Sequence, residues 1–294
     1  MGRCIYCGQP AGFLKIKHTD CYQKHRESER LHEQEELAKA QLKKTGRQQI
    51  RQNTLQHICG IDAFENLNLS ITEIAQKSDL SDSDKREQLI KSWESAVDKF
   101  LEDGVLSESE EKRLIDFGEY FHLSRDELDR NEAHSKLVKS AVLRDILNGI
   151  IPKRMSFGGV LPVNLQKGEH LIWIFKDTQY LEDKTRRQFV GGSRGVSVRI
   201  MKGVYYRVGA FKGHYVEQTE RVHIDTGNFY ITNKHIYFTG NSKSFRIPYS
   251  KIVSFEPYSD AIGLIRDATT AKPQIFITGD GWFAYNMVTN LAQL

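Results

Sequence analysis

Residues 226–265 read TGNFYITNKHIYFTGNSKSFRIPYSKIVSFEPYSDAIGLI. β-branched and aromatic residues alternate with polar ones through this stretch, and Gly, Asn, Ser and Pro punctuate it, which is the period-two pattern of strands with one face on a core. Ile231, Ile236, Phe238, Ile247, Ile252 and Phe255 fall on the inward face. Turns are expected at Thr226-Gly227-Asn228 and Thr239-Gly240-Asn241. Upstream, GEHLIWIFKD, VSVRIMKGVYYRVG and HYVEQTERVHID carry the same letters, as does KPQIFITGD downstream, so that seven or eight strands are expected from Lys167 onward. After a further turn at 278–281, WFAYNMVTNLAQL changes to helical spacing, with Trp282, Tyr285, Val288 and Leu291 or nearby residues on one stripe. A curved antiparallel sheet closed by one C-terminal amphipathic helix is the expectation.

Within that frame the pairing of TNKHIYF with IPYSKIVSF, preceded by GEHLIWIFKD, resembles the GRAM and bacterial pleckstrin-homology-like pattern over residues 165–294. The resemblance implies a partly open β-barrel of two near-orthogonal sheets plugged by the C-terminal helix, with Thr232 and Asn233 making the hairpin-side hydrogen bonds. It also implies a platform for a protein or an anionic lipid headgroup. A phosphoinositide site needs several cations converging in the first hairpin. The candidates are Lys184, Arg186, Arg187, Arg194, Arg199 and Lys202, in a Gly-containing segment that reads equally as a solubilising loop or hairpin inserted in the sheet.

At the other end of the chain, three of the four cysteines fall within the first twenty-one residues. Cys4 and Cys7 make a C-x2-C pair and His18 and Cys21 an H-x2-C pair, together the donor set of a closed tetrahedral structural zinc site. Gly8, Pro10 and Gly12 suit a tight knuckle, and the second pair opens a run rich in helix formers. Asp20 or His25 is an alternative fourth ligand. The first twenty residues lack a continuous apolar core, so a signal peptide and a disulfide are the poorer readings. Cys59, isolated in HICGI, reads as a small apolar residue.

The 294 residues, 39% of them hydrophobic, can bury more than one core. Net charge is +4, but Lys and Arg against Asp and Glu number 11 and 6 over residues 1–56, 9 and 19 over 57–130, and 22 and 13 over 131–294. Alternating blocks of +5, −10 and +9 suggest separate modules. Residues 22–56 read as a long polar helix with Gly46 as a natural stop and RQQIRQNTLQHI continuing beyond it; Leu31, Leu37 and Leu42 give only a thin apolar stripe. In the acidic block, DSDKREQLIKSWESAVDKF expects a cap at Ser83 or Asp84, Ser107 with Glu110 and Ser124 with Glu127 form S-x-x-E capping boxes, and a last helix closes at Gly149. Aligning Gly104 with the glycine of a calcium loop puts Lys99 and Leu101 at ligand positions, which excludes an EF-hand. The phrase DGVLSESE is similar instead to tellurite-resistance-type helical domains over residues 84–130.

No nucleophile elbow, phosphate loop, H-E-x-x-H or dinucleotide fingerprint is present. The expected organisation is an α+β multidomain chain: zinc knuckle at 1–25, helical connector at 26–56, acidic helical bundle at 57–150, and PH-like β domain at 158–294. The expected function is a non-enzymatic, zinc-containing adaptor, cytoplasmic or peripheral to the membrane, without a transmembrane segment. Nucleic-acid binding through the knuckle and basic segments is the alternative, and an enzyme without a recognisable motif the second.

Overall fold

A computed structural model describes residues 2–12, 15–102, 106–155, 161–190, 197–201, 204–207, 214–268 and 271–294, with the backbone alone at 184–190, 197–201, 204–207 and 214–219. The fold is mixed α+β, with seven helices among the described residues. The chain divides into two compact units, residues 1–141 and 142–294.

The first unit opens with a hairpin of β1 (Gly2–Arg3) and β2 (Pro10–Gly12), followed by α1 (Thr19–Cys59), α2 (Phe64–Lys77), α3 (Asp82–Phe100), α4 (Glu108–Tyr120), the short α5 (Arg125–Leu128) and α6 (Ala133–Leu147), which runs on into the second unit. The starts of α3, α4 and α5 are fixed by side-chain caps. Ser107 and Ser124 form the expected reciprocal boxes with Glu110 and Glu127. For α3 the cap is Ser81, boxed with Asp84, rather than Ser83 or Asp84 itself, because Asp84 serves as the third helical residue. Ile50, Leu67, Trp93, Val97, Leu114 and Phe117 meet in the core, where the Trp93 Nε1–H donates to the Leu114 carbonyl at 2.9 Å.

Gly46 does not stop α1, which is continuous for 41 residues. The glycine is buried where α1 meets the end of α2: a Cβ there would lie 2.3 Å from Ser78 Oγ and 2.4 Å from Ser78 Cβ. Tertiary contact, not chain termination, selects it. Gly46→Ala should therefore destabilise the bundle, since about 1 kcal/mol of helix propensity is gained against an overpacking cost of about 1–3 kcal/mol. Ser78→Gly should restore the loss in a double-mutant cycle read by urea unfolding.

In the second unit a seven-stranded antiparallel sheet has the order β8-β7-β6-β3-β11-β10-β9. Its strands are β3 (Leu171–Val190), β6 (His214–Thr232), β7 (His235–Gly240), β8 (Ser244–Pro248), β9 (Ile252–Pro257), β10 (Ala261–Arg266) and β11 (Gln274–Ile277), and β4 (Ser197–Met201) pairs separately with β5 (Val204–Arg207). The sheet is not closed into the expected barrel. β8 and β9 are its edges, and no ladder joins them among the described residues. A 3-10 turn at Tyr249–Lys251 is all that links them in sequence, so their nearest ends lie within about 15 Å and the open sheet must curl. Tyr180, Phe229, Phe238 and Phe276 form its buried aromatic centre, with Phe229 and Phe276 at 4.6 Å.

Ile231, Ile236, Phe238 and Ile247 are buried as their alternation requires, whereas Ile252 and Phe255 on the edge strand β9 are only half-buried. Thr226-Gly227-Asn228 is not a turn but the interior of β6, where a Cβ on Gly227 would lie 2.1 Å from the Thr239 carbonyl oxygen. Helix α7 (Gly281–Leu291) covers the sheet with Phe283, Ala284, Met287, Val288 and Leu291, leaving Trp282 65% exposed, off the expected stripe. Asp280 caps the helix, its carboxylate accepting the Phe283 amide at 3.1 Å.

Candidate metal centre

The turn between β1 and β2 is built by backbone. The Cys4 amide donates to the Gln9 carbonyl at 2.8 Å and the Gly8 amide to the Cys4 carbonyl at 2.8 Å, with Gly8 at φ +71°. This fold leaves Cys4 buried and Cys7 exposed on the knuckle. The chain then returns beside Ile5, whose amide donates to the Ile16 carbonyl at 3.0 Å, and enters α1 with His18 as N-cap and Cys21 in the first turn.

Cys4, Cys7, His18 and Cys21 come together with one ligand atom each, all within 4.8 Å of one another. His18 Nδ1 is 3.4 Å from Cys7 Sγ and 3.7 Å from Cys21 Sγ. A tetrahedral zinc with Zn–S near 2.3 Å and Zn–N near 2.0 Å separates sulfur from nitrogen by about 3.5 Å, so the two measured separations bracket the required edge. The other ring nitrogen is committed: Nε2 lies 3.0 Å from the Pro10 carbonyl oxygen, to which its N–H donates, leaving the Nδ1 lone pair for the sulfurs. The residues present fit the ion.

The electrostatics ask for a cation. Burial opposes ionisation of Cys4, but amides of His18, Tyr6 and Cys7 donate to its sulfur and draw the thiol down to about 6. Cys21 is pushed up to about 11, by burial first and then by the neighbouring Cys7 and Cys4. Three crowded sulfurs cannot all be thiolates without a positive charge among them.

The alternative fourth ligands stand apart. His25 packs on Tyr6 with centroids 4.6 Å apart and pairs with Glu29, while Asp20 is exposed and outside the cluster. Cys59 packs partly buried against the helical core, and burial raises its thiol. Among the described residues, no other group of three or more such ligands converges.

The anion-site candidates fall largely outside the described side chains. Arg194 and Lys202 lie outside the described residues; Lys184, Arg186 and Arg187 sit in β3 and Arg199 in β4, with backbone alone described. In the ladder, Lys184 stands opposite Glu220 and Arg187 opposite Glu217 on β6, forming a long two-stranded ribbon.

One polar cluster has no local signature in the sequence. Glu169, buried before β3, accepts from Thr232 Oγ1 at 2.6 Å, His235 Nδ1 at 2.9 Å, Tyr237 OH at 2.9 Å and the Gln166 amide at 2.7 Å. Thr232 Oγ1 also accepts the His235 amide at 2.8 Å, and Asn233 Oδ1 accepts the His170 amide at 2.7 Å, so the expected hairpin bonds extend to a carboxylate more than sixty residues away. Every donor has its acceptor, and the cluster ties the start of β3 to the β6–β7 hairpin.

No described helix is long and apolar enough to cross a membrane. No protein-family model, curated protein or solved structure matches the chain.

Proposed function

We propose that this protein is a non-enzymatic adaptor whose N-terminal knuckle is ordered by one structural zinc ion and whose C-terminal unit is a GRAM- or PH-like platform for a protein or an anionic lipid headgroup. The convergence of Cys4, Cys7, His18 and Cys21, with His18 Nε2 already committed to the Pro10 carbonyl, carries the reading. When bound, zinc cross-links the hairpin to the first turn of α1; the four side chains hold it and the Pro10 carbonyl orients the imidazole. The β unit supports the second half of the proposal through its seven-stranded antiparallel order, in which β3 is shared by both halves of the sheet, and through the helix that follows. Two such modules on one chain strengthen binding through effective concentration when both engage.

Elemental analysis of full-length protein purified without added metal should give one zinc per chain, and flotation with anionic vesicles should separate the two kinds of ligand. Flotation marks a lipid platform, and failure to float leaves a protein partner. Metal-free protein with an ordered knuckle would remove the zinc reading.

Nucleic-acid binding is favoured by one observation: residues 184–216 contain eight Lys or Arg and no Asp or Glu. A complex of that kind should weaken about tenfold or more between low and physiological salt.

A further inference from the structure

Strands β4 and β5 form a hairpin of their own, in no ladder with the seven-stranded sheet among the described residues. Two strands alone are marginal in water, and completing the sheet does not account for their sequence. Their register sorts the residues onto two unlike faces. Ser197 stands opposite Arg207 and Arg199 opposite Tyr205. Opposed residues share a face and successive residues alternate, so these four lie on one side. The other side is apolar, with Val198 opposite Tyr206 and, past a register shift, Met201 opposite Val204. Tyr205 thus occupies a position about 5 Å from Arg199 across the ladder and about 7 Å from Arg207 along β5.

Between Asp183 and Glu217 the chain has no acidic residue to offset its cations, which calls for a polyanion. Tyr205 decides which kind. A membrane surface takes up apolar residues and sets cations at the headgroups, and it has no use for an aromatic residue placed beside two arginines on the polar side. Nucleic acid does: a base stacks on the ring while the arginines take phosphates. Only an unpaired strand offers the flat face of a base, since a duplex keeps those faces stacked inside. We infer that the face carrying Arg199, Tyr205 and Arg207 binds single-stranded nucleic acid, DNA or RNA, with one base on Tyr205 and phosphates on the two arginines. The inference rests on the nucleic-acid reading above and narrows it to one strand form and one surface.

Fluorescence anisotropy of the zinc-loaded full chain should compare labelled oligo(dT), oligo(U) and a blunt DNA duplex, each about 20 nucleotides long, more than one such surface covers. A single strand should bind about tenfold or more tightly than the duplex, and the tighter of oligo(dT) and oligo(U) names the source. Tyr205→Leu, which keeps an apolar side chain without a ring, should weaken single-strand binding about fivefold or more, the loss of one stacked base. Tyr205→Phe, and Tyr206→Leu on the other face, should bind as wild type does. Arg199→Ala and Arg207→Ala together should reduce the slope of log affinity against log salt by about 1.4, as two phosphate contacts on a single strand require. Hydrogen exchange across β7, β10 and β11 should be unchanged in each variant. A duplex bound as tightly as either strand, or binding indifferent to Tyr205→Leu, would overturn the inference and leave nucleic-acid binding standing. No binding to any of the three would remove both, and flotation on anionic vesicles that Tyr206→Leu abolishes, without oligonucleotide binding, would assign the hairpin to a membrane instead.

Discussion

Replacing Cys4 with Ser should release the metal and melt the knuckle together with the first turns of α1, while the bundle survives. The effect is the largest expected in the first unit because little beyond a few backbone hydrogen bonds orders the described residues at that end of the chain. The hairpin comprises two short strands, and Cys4 and Ala11 are the only residues buried among described residues 2–42. Binding of structural zinc by such donor sets supplies about 10–16 kcal/mol at neutral pH, most of it expressed as folding. Without it, the amides from Cys4 to Gly12 should exchange as in an unfolded chain, and protection should be lost through Cys21 and into the exposed turns of α1 that follow. Amides at Ile50, Thr54 and Ile58, fixed by burial in the bundle, should keep theirs. X-ray absorption of the intact protein should show three sulfurs near 2.3 Å and one nitrogen near 2.0 Å. Four sulfurs, which would recruit a cysteine from outside the cluster, or oxygen in place of nitrogen, would reject the ligand set. Unchanged exchange in the Ser variant would show that the knuckle holds itself.

The ligand set was legible because each pair is local: two intervening residues put two donors on one turn, and only the meeting of the pairs needed the fold. Capping boxes were legible at Ser107 and Ser124 for the same reason. The cap of α3 was misread because serine and aspartate recur through Ser81-Asp82-Ser83-Asp84, and any of them satisfies a local rule. Glycine misled twice. Gly46 and Gly227 carry the letters of a helix stop and a turn, but both admit a neighbouring segment too close for a Cβ, Ser78 in one case and the Thr239 carbonyl in the other. Such contacts join residues far apart in sequence and leave no periodic trace. Strand content was readable from alternation, but the open edges of the sheet were not, since whether β8 bonds to β9 depends on curl rather than composition. The buried carboxylate at Glu169 was equally silent, its partners lying beyond residue 230 except for Gln166.

That carboxylate is where the β unit should be most sensitive. Glu169→Ala removes the acceptor shared by Thr232, His235, Tyr237 and the Gln166 amide, leaving several buried donors unpaired, and should cost about 3–5 kcal/mol. Glu169→Gln keeps the volume and one acceptor oxygen but turns an amide toward donors, and should cost about 1–3 kcal/mol. Acid sensitivity gives an independent reading. Burial by itself would raise the Glu169 carboxyl, but the hydrogen bonds from Thr232, Gln166, His235 and Tyr237 outweigh it and hold the group below its ordinary value. A carboxyl depressed on folding contributes stability that is present above its unfolded value of about 4.3 and is lost as pH falls through the lower folded value. The wild-type β unit should therefore weaken as pH drops below about 4, and Glu169→Gln should flatten that slope while leaving the share due to Asp225, itself lowered by the amides of Ser242, Lys243 and Thr226. Hydrogen exchange across β3, β6 and β7 as a function of pH separates the β unit from the helical one. If wild type and Glu169→Gln lose protection in parallel over that range, Glu169 is not the charge that pins β3 to the hairpin.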